Sequence, residues 1–230
     1  MLAARPTVFL FDIDGTLLLS GGAGRRSFER AFAEITGRPD ALASFSFGGM
    51  TDKGIARAGL LALGREVDEA TVELLFETYL RALADELLRS QLTIMPGVHD
   101  VLEQLAACRD VAIGLGTGNL RRGAEAKLVR GELWHQFGFG GFGCDHEDRG
   151  ELLRKGLERG AAALGLPPSA CRVVVIGDTV RDVTAAHAIG AVCVAVETGG
   201  IQRDVLHAAG ADVVYRDLTQ PGVMESLLVG

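Results

Sequence analysis

Residues 7–18 read TVFLFDIDGTLL. Four apolar residues, Val8, Phe9, Leu10 and Phe11, run straight into Asp12, Ile13, Asp14, Gly15 and Thr16. A short unbroken apolar run reads as a strand buried on both faces, the signature of a parallel sheet. It ends in two carboxylates two positions apart. Side chains at i and i+2 of a strand share one side, so Asp12 and Asp14 are expected to crowd at the strand's carboxyl end. In open α/β sheets that end is where ligands bind. Two unpartnered carboxylates there repel, and one must hold a proton. A divalent cation or a role in proton transfer accounts for the pair; the alternative is a polar loop after a strand.

Working outward, composition bounds the possibilities. The chain has 230 residues, 48% of them hydrophobic, and a net charge of −7. That length suits one large domain or two modest ones. The acidic balance argues against binding a nucleic-acid backbone. No apolar run nears the roughly 20 residues that span a bilayer, and the start shows no small-residue cleavage site. A soluble cytoplasmic protein, monomer or homodimer, is expected. The four cysteines (108, 144, 171, 193) are scattered without C-x-x-C spacing, so buried free thiols are expected rather than zinc or disulfides.

After the first strand, Gly21, Gly22 and Gly24 mark a loop. Residues 25–37 show a helical stripe of Phe28, Ala31, Phe32 and Ile35 closed by Gly37. Helices are also expected over 52–63 and 68–89. Residues 18–92 therefore read as an all-helical insertion without a good strand. Beyond Pro96-Gly97 the pattern alternates: helix to about 109, strand 111–115, helix 121–130, strand 137–144, helix 150–164, strand 172–176, helix 181–189, strand 192–196, helix 203–209, strand 213–215, and a closing helix over 224–228. Such alternation implies right-handed crossovers and a parallel sheet. The expected fold is an α/β, Rossmann-like parallel sheet flanked by helices. The sheet-bearing core is expected over 1–17 and 93–230, with the helical insertion over 18–92.

Three strands end in distinctive polar residues: Asp12-x-Asp14-Gly15-Thr16, Thr117-Gly118-Asn119, and Gly177-Asp178-Thr179-x-x-Asp182. If these strands are neighbours, four carboxylates converge on one crevice. Oxygen-only ligands point to Mg²⁺. A threonine hydroxyl and free amides at helix N-termini suit phosphate oxygens. Metal, phosphate donors and a free carboxylate together describe phosphoryl transfer.

These three motifs, in this order and spacing, resemble those of the haloacid dehalogenase-like superfamily, and the helical insertion resembles its small helical cap. The chain is most similar to phosphatases of the phosphoglycolate-phosphatase type. The resemblance implies an Mg²⁺-dependent phosphatase of a small phosphorylated metabolite. In it Asp12 is the nucleophile that forms an aspartyl-phosphate. Asp14 is the acid that protonates the leaving oxygen and then activates water. Thr117 and the Gly118 amide, with Asn119 beside them, bind the phosphoryl group. Asp178 holds Mg²⁺ with Asp12 and the backbone carbonyl of Asp14, and Asp182 completes or orients that shell.

The superfamily also expects a cation, usually the lysine of a Lys-Pro pair, before the helix that follows the third strand. That pair is absent here. Arg149 stands at the helix start and is assigned the role; Lys155, inside the helix, is the alternative and is expected to point away. Gly22 and Arg25 are candidate substrate-binding residues, with Arg25 able to meet a carboxylate or second phosphate. Thr51-Asp52 reads as a helix N-cap and Lys53 as a surface lysine. Asp14 counts against the superfamily's dehalogenases and phosphonate-cleaving members, which replace that residue. A sugar-phosphate phosphomutase and a non-catalytic phosphate-binding relative stay open as alternatives.

Overall fold

The computed structural model describes residues 2–229. β1 (Leu2–Phe11) leads through the two-residue β2 (Leu18–Leu19) into three helices, α1 (Ala23–Thr36), α2 (Asp52–Ala62) and α3 (Glu69–Arg89). The chain returns through β3 (Thr93–Ile94), α4 (Val98–Ala106), β4 (Arg109–Thr117), α5 (Arg121–Arg130) and β5 (Phe139–Phe142). It continues with α6 (Arg149–Ala163), β6 (Arg172–Gly177), α7 (Val180–Ala188) and β7 (Val192–Val196). α8 (Arg203–Ala208), β8 (Val213–Tyr215) and α9 (Val223–Val229) complete it.

Six strands form one parallel sheet in the order β5-β4-β1-β6-β7-β8. β1 is central because it is apolar on both faces. Phe9 and Phe11 point into one buried layer with Val101, Leu105 and Leu128 from α4 and α5. Val8 and Leu10 point into the other, with Leu152, Leu153 and Val183 from α6 and α7. Each such side chain contributes about 1.5–3 kcal/mol on burial, so the unbroken run takes the one position covered on both sides. After β1 the chain builds β4 and β5 on one side of it, then crosses to build β6, β7 and β8 on the other. The strand order reverses beside β1, which opens a crevice at the carboxyl ends of β4, β1 and β6.

α1, α2 and α3 pack around a separate apolar cluster that includes Phe28, Phe32, Leu60, Leu75, Tyr79 and Leu83. Leu120, at the start of α5, belongs to that cluster too, so the helices rest on the crevice side of the sheet. The segment 18–92 is not wholly helical. Leu18–Leu19 pair antiparallel with Thr93–Ile94 where the chain leaves and re-enters; two-residue strands are too short to show a period-2 pattern. The cysteines are all free, but only Cys171 and Cys193 are buried; Cys144 is exposed. Among the described residues no helix is long and apolar enough to cross a membrane.

Candidate active site

Phe11 pairs with Leu115 of β4 and with Ile176 of β6. Asp12, Thr117 and Asp178 therefore leave the sheet along one edge. Asp12 extends the strand by one bond, its N–H donating to the Ile176 carbonyl at 2.9 Å. The backbone then turns: the Ile13 carbonyl accepts from Leu17 N and Leu18 N, and Gly15 adopts φ 88°. The turn separates the two carboxylates expected to crowd. Only 7% of the Asp12 side chain is exposed, against 41% for Asp14. Asp14 thus faces the cavity while Asp12 lies beneath it.

Each carboxylate has its own cation. Arg149, first residue of α6, reaches Asp12 Oδ1 at 2.9 Å and Asp182 Oδ1 at 2.5 Å through Nη2. Asp148 caps α6 by accepting from Glu151 N at 3.0 Å, which sets the first turn so that Arg149 points inward. Burial pushes the Asp12 carboxyl up to about 6 despite Arg149, and the negative charge of Asp182 adds to the rise. Lys155 lies exposed on the outer face of α6, paired with Glu158 at 2.8 Å.

Asp12, Asp178 and Asp182 are all buried and can each offer a carboxylate oxygen within 4.8 Å of the others. Asp14 is not in this cluster; three carboxylates gather, where four had been expected. Asp178 accepts from Thr16 Oγ1 at 3.1 Å and lies between Gly15 and Gly199, where any Cβ would overlap its carboxylate. Burial, then the charges of Asp182 and Asp12, raise its pKa well above the ordinary range. Asp182 Oδ2 caps α7 by accepting from Thr179 N and Oγ1, at 3.0 and 2.7 Å. Its other oxygen is ion-paired with Arg149. Three buried carboxylates with one arginine among them offer hard oxygen ligands that fit a small divalent cation such as Mg²⁺.

Thr117 is fully buried, and its hydroxyl accepts from Asn119 N at 3.3 Å and Nδ2 at 2.8 Å. Its own hydrogen stays available to donate. Asn119 Nδ2 also donates to Asp14 Oδ2 at 2.8 Å, so Asn119 holds Asp14 and Thr117 at once. Gly118 sits against the Met50 carbonyl, where a Cβ would overlap, and its own carbonyl accepts from Asp52 N at 2.8 Å. Gly22 and Arg25 line the cavity. The Arg25 guanidinium is engaged within the chain, with Glu29 at 3.1 Å and the carbonyls of Leu42 and Phe45, and it stacks 4.2 Å over Phe47.

Two residues of the site were not assigned to it from sequence. Lys127 is 3% exposed, and its Nζ donates to Asp14 Oδ2 at 2.6 Å and Asn119 Oδ1 at 2.7 Å. The signal was its register: Lys127 shares the buried face of α5 with Gly123, Ala124 and Leu128, and a lysine on such a stripe needs an acidic partner. Asp52 was read as a cap. Thr51 is the N-cap of α2, accepting from Gly54 N at 3.1 Å. Asp52 instead reaches across to α5, accepting from Leu120 N at 2.7 Å. Burial pushes Asp52 up to about 7, with Lys127 opposing. The cavity beside these residues measures about 240 Å³.

The family model for haloacid dehalogenase-like hydrolases matches residues 6–190. The chain is 30% identical over 215 residues to Validoxylamine A 7'-phosphate phosphatase of Streptomyces hygroscopicus subsp. limoneus, covering 93% of this chain and 94% of that protein. It is 36% identical over 121 residues to Phosphoglycolate phosphatase of Synechococcus elongatus. That match spans 53% of this chain and only about half, 54%, of the relative. The crystal structure of CbbY from Rhodobacter sphaeroides in complex with phosphate has the same fold, with a TM-score of 0.70 at 16% identity, covering 97% of this chain and 99% of that one.

Proposed function

The chain belongs to the haloacid dehalogenase-like hydrolase family, and from that premise we propose that it is an Mg²⁺-dependent phosphatase of a small phosphorylated metabolite. The observation that carries the proposal is the unequal setting of two neighbouring carboxylates. Asp12 is buried among Arg149, Asp178 and Asp182. Asp14 stands at the cavity wall, held by Lys127 and Asn119. One setting suits a nucleophile and the other a proton carrier. Both relatives aligned above are phosphatases by name.

Asp12 attacks the phosphorus and forms an aspartyl-phosphate. Arg149, Thr117 and the Gly118 amide orient the phosphoryl oxygens and hold their charge. Asp14 gives its proton to the departing ester oxygen, then takes one from the water that opens the acyl phosphate. Lys127 and Asn119 fix the Asp14 carboxylate between those two transfers. Asp12, Asp178 and Asp182, with the backbone carbonyl of Asp14, would hold the metal. When bound, Mg²⁺ offsets the negative charge that otherwise keeps a carboxylate from approaching a phosphate. The helices α1–α3 act as a cap that covers the crevice and shields it from bulk water.

Phosphate release from p-nitrophenyl phosphate in Mg²⁺ tests the reading. Asp12→Asn is expected to abolish turnover, and EDTA to suppress it reversibly. Full activity in either case would sink the proposal.

A further inference from the structure

The reaction above uses Asp12, Asp14, Thr117, Gly118, Asn119, Lys127 and Arg149, all of them at or beside one cavity. The same cavity is also lined by Ser20, Asp52 and Tyr79, with Phe28 and Phe47. Its charge is unusual for a pocket that receives phosphate esters. Three cations line the whole cavity, and each already has an anionic partner. Arg25 is held by Glu29, Lys127 by Asp14, and Arg149 by Asp12 and Asp182. Lys127, whose charge also acts on Asp52, is already paired with Asp14.

Hydroxyl and carboxyl groups are unspent there. Asp52 Oδ2 accepts from Leu120 N, and among the described residues no hydrogen bond involves its Oδ1. Nor does any engage the hydroxyl of Tyr79 or of Ser20. Tyr79 cannot swing away to find a partner, because its ring is stacked on Phe28 with centroids 4.0 Å apart. A second anion on the substrate would lose its water beside Asp52 and gain no free cation. An alcohol can donate to Asp52 and accept from Tyr79 or Ser20.

We infer that Asp52, with the hydroxyls of Tyr79 and Ser20, recognises the leaving group and selects uncharged polyol or sugar monophosphates over esters carrying a second anion. The inference rests on the phosphatase reading given above and specifies its substrate class. The cavity of about 240 Å³ falls below the usual range for drug-sized ligands and suits a single sugar-sized group. Asp52 is the specificity-determining residue on α2, and it also docks that helix on α5.

The test is a comparison of kcat/KM at pH 8 in Mg²⁺, where Asp52 is ionised, for sorbitol 6-phosphate and glucose 6-phosphate against phosphoglycolate and fructose bisphosphate. The polyol and sugar monophosphates are expected to lead by about 100-fold or more, as befits a site that hydrogen-bonds hydroxyls. Asp52→Asn keeps an acceptor for Leu120 N while removing the charge, and it is expected to shrink that ratio at least tenfold. Tyr79→Phe keeps the ring stack and is expected to raise KM for the polyol esters. Equal or reversed preference in the wild type, or an unchanged ratio in Asp52→Asn, overturns the inference. Calorimetric binding of the same esters to Asp12→Asn reads the preference without turnover. A retained binding preference with no hydrolysis of any ester, p-nitrophenyl phosphate included, sinks the reaction alone. Equal binding of both ester classes sinks the inference.

Discussion

Asp178 shows how closely single residues are fitted to their tasks. Its carboxylate occupies the space that side chains at Gly15 and Gly199 would fill. Gly199→Ala is expected to displace it and to lower Mg²⁺ affinity and kcat/KM by about 10–100-fold, the usual cost of disturbing the groups around a metal ligand. Metal titration and steady-state kinetics check this. Asp52 sets a second residue-scale expectation. Its carboxyl rises from 3.8 to about 7 on burial, so over that interval the folded chain binds a proton that the unfolded chain has released. Stability contributed by Asp52 is then fully present below 3.8, falls as pH rises towards about 7, and stays low above it. The slope is at most about 1.4 kcal/mol per pH unit. Urea unfolding in EDTA across this range should show a shallower decline in Asp52→Asn; parallel curves would refute it.

At the scale of elements, the site depends on helix starts. Asn119 lies just before α5, Arg149 is the first residue of α6, and Asp182 stands in the first turn of α7. α2 is joined to the same edge through Thr51, whose Oγ1 accepts from Gly54 N at 3.1 Å and donates to the Glu147 carbonyl at 2.9 Å. Thr51→Ala loses the cap and this tie together. The expected cost is about 1–2 kcal/mol, seen as a fall in Tm of about 2–4 °C per kcal/mol in a chain of this size. KM should rise more than kcat falls, because α2 carries one wall of the cavity and none of the reacting groups. Elements were legible in the sequence where periodicity was long and consistent. α1 and α3 follow their apolar stripes, and β7 and β8 fall on their β-branched runs. β2 and β3 were not legible, since two residues cannot display a period.

For the whole molecule, the acidic cluster carries a cost wherever no cation offsets it. Three buried carboxylates face one arginine, Arg149. Binding a cation there stabilises the fold by mass action, about 2.7 kcal/mol at a hundred times Kd. Mg²⁺ is therefore expected to raise Tm. Asp178→Asn removes a carboxyl whose ionisation its neighbours oppose, so in EDTA its melting point relative to the wild type should rise as pH rises, by about 2–4 °C per kcal/mol of repulsion relieved. It should also lose the response to Mg²⁺. Thermal melts of both proteins across pH, with and without the ion, decide the matter; a wild type indifferent to Mg²⁺ would count against a metal site.

The sequence by itself determined the sheet, the order of its elements and the identity of most of the chemical groups. Those properties are local. An apolar run such as 8–11, a helical stripe, or a short motif like Asp12-x-Asp14 is read from neighbours within a turn or two. The tertiary structure alone decided which carboxylate meets which cation. Arg149 joins Asp12 to Asp182, and Lys127 joins Asp14 to Asn119. Lys127 and Asp14 lie 113 positions apart, and their pairing follows from α5 packing its buried face beside the turn after β1. The proposed division of work between Asp12 and Asp14 depends on that turn, which leaves one side chain buried and the other 41% exposed.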